Sequence, residues 1–214
     1  RVQNTAGDLN LRLLLPLGRA LENITVTAVR GEVQDVFAAS EFLSIAEGQT
    51  MTRRSFQLLP QALRETAGVH LQQTSAGQGS PFVRGLTGQH VLMLINGVRF
   101  NNSTARPGAN QYTALIDPIF LDQVEVVHGP GSAQYGSDAL GGTINVLTPA
   151  ISLTAEKLRL RGQVNSLFSS ADLAYGSAVS ISWGSRRWGF FLEGAGRRVG
   201  DLRPGQGIDS HSVV

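Results

Sequence analysis

In residues 157–165, KLRLRGQVN, Leu158, Leu160, Gly162 and Val164 alternate strictly with Arg159, Arg161, Gln163 and Asn165. A period of two is the pattern of a strand with one apolar face. The next run, DLAYGSAVSISW (172–183), alternates Leu173, Tyr175, Val179, Ile181 and Trp183 with small residues. A third begins after GSRR with Trp188, Phe190 and Leu192. Strands of this length, apolar on one face and with Trp at the hairpin ends, predict the wall of a transmembrane β-barrel, its tryptophans in an interfacial girdle. A soluble amphipathic sheet is the competing reading. It is the weaker one, because Leu, Tyr and Trp line the apolar face out to the turns.

Upstream the pattern is mixed. GDLNLRLLLPL (7–17) alternates as a half-buried strand, and ENITVTAVR (22–30) is β-branched and short, without a turn to a neighbour. A strand of that kind is available to add itself to a partner's sheet edge. FLSIAEG (42–48) predicts a strand and LLPQALRETAGV (58–69) a helix, with Pro60 in its first turn, Gly68 as its stop, and Leu59, Leu63 and Ala67 toward a core. Two apolar runs flank Asn96-Gly97 in HVLMLINGVRF (90–100), which predicts a type I′ hairpin. QVEVV (123–127) and GTINVLT (142–148) add two strands, and the polar stretches QTSAGQGS (73–80) and NNSTARPGANQYT (101–113) read as loops. Residues 42–148 therefore form a compact α+β unit.

Composition narrows the chemistry. The chain has 214 residues, 25 glycines, no cysteine, 16% charged residues and a net charge of +2. Without cysteine there is neither a disulfide framework nor a thiolate metal site. Lys157 is the single lysine and the arginines are scattered, so no basic face for nucleic acid appears. His70, His90, His128 and His211 lack ligand spacing, and no Gly-x-Ser-x-Gly elbow is present.

The stretch HGPGSAQYGSDALGG (128–142) nearly spells a phosphate loop. After Gly136, however, comes Ser137-Asp138 where Lys-Ser or Lys-Thr is required, and Gln134 stands where a dinucleotide motif needs glycine. Ser137 in place of the phosphate-binding lysine, with a carboxylate next to it where the phosphate charge would be, excludes the nucleotide reading. No cofactor, metal or enzymatic activity is expected.

In order along the chain, ENITVTA, LLPQALRETAGV, FVRG, VLMLINGVRF and VEVVHGPGSAQYGSDALGGTINV resemble five motifs of the plug region of TonB-dependent outer-membrane receptors. The resemblance covers residues 22 to about 200. Residues 7–17 also resemble the end of the small β-sandwich domain that precedes some plugs.

The resemblance implies four parts. Residues 1–21 end a preceding domain or linker, 22–31 carry the TonB box, 32–149 form the plug, and 150–214 begin the barrel. Ile24, Thr25, Val26, Thr27 and Ala28 would bind a TonB-type energy-coupling protein in the periplasm. Gln78, Arg106, Asn110 and Tyr112, on the outward-facing loops, would touch a ligand of the siderophore, haem, cobalamin or glycan class. Arg84, placed on the FVRG strand, would pair with carboxylates on the wall. His128 stands where the family usually has a second arginine, which leaves that ionic contact open and makes it pH-sensitive.

Transporters of this kind have about 22 strands of roughly 10 residues each, whereas 65 residues follow Pro149. The expectation is therefore a plug-containing fragment of an outer-membrane receptor. The rival is a freestanding periplasmic β-rich binding or scaffold module.

Overall fold

The structure, a computed structural model, describes residues 25–26, 34–35, 42–75, 77–101, 108–109, 111–149, 159–185 and 187–200. The strand expected at 7–17, and Ile24, Thr27, Ala28, Arg106 and Asn110, lie outside them.

A short ladder opens the described chain: β1 (Thr25–Val26) pairs antiparallel with β2 (Gln34–Asp35). The sequence suggested no neighbour for the first of these. β3 (Phe42–Glu47) runs straight into α1 (Gly48–Arg53), and α2 (Leu59–Leu63) follows. The helix expected over 58–69 is thus a single turn. Leu59 and Leu63 are fully buried as expected, but Ala67 is exposed, because the chain turns at Gly68 (φ +75°) into β4 (Val69–Ser75). The Gln61 side chain accepts from the Gln57 and Leu58 N–H groups and holds the helix start.

β4 pairs antiparallel with β5 (Gln78–Val83). The loop expected at 73–80 therefore lies within a hairpin, and Gln78 opens β5 opposite Ser75. β6 (Val91–Ile95) and β7 (Val98–Arg99) form the Asn96-Gly97 hairpin, whose φ values of +49° and +79° are those of a type I′ turn. Its tip is docked: Asn96 and Thr148 exchange two hydrogen bonds (2.9 and 3.0 Å). β8 (Gln123–His128), α3 (Ser132–Tyr135) and β9 (Gly142–Leu147) close the unit.

The main sheet has the order β3-β8-β9-β6-β7, with β6 and β9 parallel and the other pairs antiparallel. One face carries the core: Val91, Met93, Val124, Val126, Ile144 and Val146 pack on Met51, Leu59 and Leu63 of the short helices. Burying each such side chain contributes about 1.5–3 kcal/mol. On the opposite face Glu125 is fully buried. Gln123 Nε2 donates to its Oε1 (2.8 Å) and Asn145 Nδ2 to its Oε2 (3.3 Å), while Asn145 Oδ1 accepts from Gly97 N–H (3.1 Å). These amides replace the water that a buried carboxylate would otherwise need.

β10 (Arg159–Ser169), β11 (Ala174–Gly184) and β12 (Gly189–Arg198) form a separate antiparallel meander. Their register stacks Leu160 beside Trp183, Val164 beside Val179, Phe168 beside Tyr175, and Ile181 beside Leu192. All of these apolar side chains are exposed. From Leu160 to Phe168 the stripe covers about 27 Å along the strand, or roughly 20 Å along a membrane normal at the usual tilt. Trp183, Trp188 and Phe190 gather at one end and Phe168 and Tyr175 at the other, with Trp183 and Phe190 rings 4.9 Å apart. This fits the apolar band and aromatic girdles of a barrel wall.

Candidate functional site

Two of the segments expected to meet ligand come together. The 101–113 stretch ends in a 3-10 turn at Gln111–Leu115, and Thr113 Oγ1 donates to Gly79 O (3.0 Å) on β5. Tyr112, 47% exposed, therefore sits on a turn fastened to the hairpin that begins with the exposed Gln78. Beneath them, Gly79 lies against Pro60 of α2, whose Cβ is 3.4 Å from where a Cβ on Gly79 would stand. An aromatic ring and an amide thus share one exposed rim on a fixed base.

Arg84 does not lie on a strand. β5 ends at Val83, and Arg84 turns the chain with φ +51°, its N–H donating to Gly68 O (3.1 Å). Val83 and Leu86 close this turn through a pair of backbone hydrogen bonds, which forces the two residues between them, Arg84 and Gly85, out of the extended region. The guanidinium reaches across to Gly129, with Nη1 3.0 Å from where a Cβ would stand.

His128 is buried inside the plug. Its Nε2 is 3.1 Å from Ser44 Oγ, and its ring packs on Phe42 at 4.9 Å. Burial first, and the Arg84 charge second, hold the imidazole below its ordinary value of 6.5. The folded plug therefore keeps His128 neutral, whereas an unfolded chain titrates it normally. Its contribution to stability is complete above about pH 6.5 and is lost as pH falls from there toward the depressed folded value. Hydrogen exchange of the β3 and β8 amides in the full-length protein, corrected for intrinsic rates, should show the wild type weakening against His128→Gln between about pH 7.5 and 5.5. A flat difference would make His128 a polar spacer.

Asp138, which removed the nucleotide reading, has a structural task. It sits at φ +76° and pairs with Arg99 (2.8 Å), whose guanidinium also donates to Tyr135 O (2.8 Å) and Ser137 O (3.1 Å). Arg99 at the sheet edge thus clamps the segment after α3. The clamp is not legible from spacing, since 39 residues separate the partners.

Among the described residues, an ion pair joins the plug unit to the three-stranded meander at Asp117 and Arg197. Asp117 Oδ2 accepts from Arg197 Nη2 at 2.8 Å, and Arg197 Nη1 donates to Gln57 O. Asp117 Oδ1 accepts from Ile119 N–H (3.1 Å) and caps the 3-10 turn Pro118–Phe120. A small cleft opens beside this pair, between Met51, Thr52 and Phe56 of the plug and Asn165, Ala178 and Ala195 of the wall. Two signals were available. Asp117 precedes a proline, as a capping residue does, and the alternation that sends Phe190 and Leu192 outward sends Arg197 inward. Among the described residues, no group of three His, Asp or Glu could hold a metal ion.

Comparison with known proteins bears on this arrangement. The family model of the TonB-dependent Receptor Plug Domain matches residues 36–143. The vitamin B12 transporter BtuB of Vibrio vulnificus (strain CMCP6) is 32% identical over 169 residues, 77% of this chain and 23% of that protein. The rhizobactin receptor of Rhizobium meliloti (strain 1021) is 32% identical over 192 residues, 88% of this chain and 25% of that protein. Among solved structures, the copper transporter OprC superposes with a TM-score of 0.67 at 20% identity, covering 79% of this chain and 26% of that one. The chain spans about a quarter of the length of the relatives it matches.

Proposed function

The chain belongs to the TonB-dependent receptor plug-domain family, and from that premise we propose that it is the plug and first wall strands of an outer-membrane receptor for energy-coupled uptake of a scarce ligand. The ligand belongs to the siderophore, haem, cobalamin or glycan class. The observation that carries this reading is the junction: a plug sheet is followed by three long strands whose apolar face, girdled by aromatics, is left exposed by the other described residues. A freestanding periplasmic module has no use for such a face, because an exposed apolar patch of that size invites aggregation.

In this reading the outer membrane of a Gram-negative bacterium holds the wall, the segment 22–31 hangs in the periplasm, and the role is binding and transport without bond chemistry. Thr25–Val26 and its neighbours Ile24, Thr27 and Ala28 donate a strand to the coupling protein through backbone hydrogen bonds. Gln78, Arg106, Asn110 and Tyr112 face the ligand. Growth of a receptor-deficient strain carrying the full-length gene, on iron complexes, haem, cobalamin or glycans as scarce nutrient, tests the reading. Rescue by one source, lost when the energy-coupling protein is deleted, is expected. Absence of rescue on all of them rejects it.

With the ligand so identified, Tyr112→Ala and Arg106→Ala should each weaken its Kd by about tenfold, the cost of losing one aromatic or charged anchor. Titration against the purified receptor measures this. An unchanged Kd removes that residue from the site.

A further inference from the structure

We propose that Arg197 of the wall, with Asp117 and Gln57 of the plug, forms a clasp that fixes the ligand-facing end of the plug to the wall and keeps the adjoining cleft from widening. The inference rests on reading β10–β12 as the barrel wall. It goes beyond that reading by naming the contact that must open.

Three observations make the clasp a built feature. Arg197 stands opposite Gly176 on β11, and a Cβ there would lie 3.2 Å from Arg197 Cγ and 3.3 Å from its Cβ. A side chain at Gly176 would crowd the arginine stem, and also Gly196 O at 3.1 Å, where the stem crosses the neighbouring strand toward the plug. Both charged side chains are about four-fifths removed from solvent, with relative exposures of 20% and 22%. The pair is therefore screened little, and loss of one member leaves the other without compensation. Finally, the guanidinium serves two acceptors from different parts of the plug, Asp117 Oδ2 and Gln57 O, so one wall residue ties two plug segments together.

Position gives the clasp its meaning. Asp117 follows closely on the turn that carries Tyr112, and Gln57 leads into α2, against which the Gln78 hairpin rests. A ligand that shifts either segment acts directly on an acceptor of Arg197. Glu193, four residues earlier on the same strand, lies within electrostatic reach of Asp117. Taking away the arginine thus leaves two carboxylates within electrostatic reach of each other, whereas taking away the Asp117 charge leaves a cation that still has the Gln57 carbonyl. The effects should be unequal.

The test is ionic conductance of the full-length receptor reconstituted in planar lipid bilayers. The wild type should be closed. Arg197→Met should raise conductance roughly tenfold and Asp117→Asn, which can still cap Ile119 N–H, roughly threefold. The double variant should be no leakier than Arg197→Met, because coupled partners are not additive. Gly176→Val, which leaves every charge in place but fills the space under the arginine, should resemble Arg197→Met. Arg197→Lys, the variant least able to impair folding, should lie between wild type and Arg197→Met, since an ammonium lacks the fork that serves both acceptors. Wild-type conductance in Arg197→Met and Gly176→Val, or single effects that multiply in the double variant, would overturn the clasp. Its failure is separable from that of the uptake reading. A receptor that rescues growth but shows no conductance change loses the clasp alone, and one with the predicted conductances but no rescue loses the assigned uptake alone.

Discussion

Replacing Val26 with proline should reduce uptake by the full-length receptor to the level of a strain lacking the coupling protein while leaving ligand Kd within about twofold. Proline removes one backbone donor and fixes φ, so a strand that must be recognised through its ladder loses both hydrogen bond and geometry. The structure adds a complication, because Val26 is paired with Gln34 within the chain. A proline at Val26 thus breaks an internal ladder as well as an external one. Gln34→Pro separates the two: it breaks the internal pairing and leaves residues 24–28 intact. Uptake should persist in Gln34→Pro and vanish in Val26→Pro, as measured with the nutrient that rescues growth. Equal loss in both would assign the effect to the local β1–β2 ladder, and unchanged uptake in Val26→Pro would place the coupling segment elsewhere.

The second large effect is expected at Gly48, between β3 and α1. A Cβ there would stand 1.9 Å from Leu121 O and 2.8 Å from Asp122 O, both backbone atoms, while Gly48 N–H donates to Asp122 O at 2.7 Å. No rotamer change relieves such an overlap, so Gly48→Ala must push β3 away from the entry of β8. The cost should be about 3 kcal/mol, the upper end of overpacking penalties. Opening of the β3 amides by hydrogen exchange should become roughly 100-fold more frequent, and less receptor should reach the membrane. Exchange within twofold of wild type would show that the backbone yields more easily than the contact implies.

Much of the fold was legible because its signals are local. The Asn96-Gly97 turn, the strands over 42–47, 123–128 and 142–147, and the outward face of the three wall strands all follow from period and turn chemistry. What failed was what tertiary contact decides. The helix over 58–69 stops at Leu63, since the Gly68 turn must deliver Val69 to a hairpin. QTSAGQGS reads as a loop by composition, yet Ser75 and Gln78 pair within a hairpin. Arg84 reads as a strand residue, yet the Val83–Leu86 closure puts it at positive φ. The site divides in the same way. Tyr112 and Gln78 could be named because exposed polar loops carry function. The Asp117–Arg197 pair spans 80 residues and joins two units, and no local pattern encodes a partner at that distance.

One feature of the sheet bears on mechanics. Among the described residues β3 is an edge strand with β8 as its single neighbour, and it is the first strand of the sheet reached from the segment at 22–31. In the proposed receptor, tension on that segment is delivered to the Phe42–His128 pair before any other. Drawn away from the sheet, β3 parts from β8 like a zip, one pair at a time from Phe42 to Glu47, and never loads all six pairs at once. The ladder β8-β9-β6-β7 stays whole behind it. The force required is then set by the weakest pair met in sequence, not by the stability of the plug. A histidine at the first tooth of that zip, stacked on Phe42 and bonded to Ser44, decides where the yield begins.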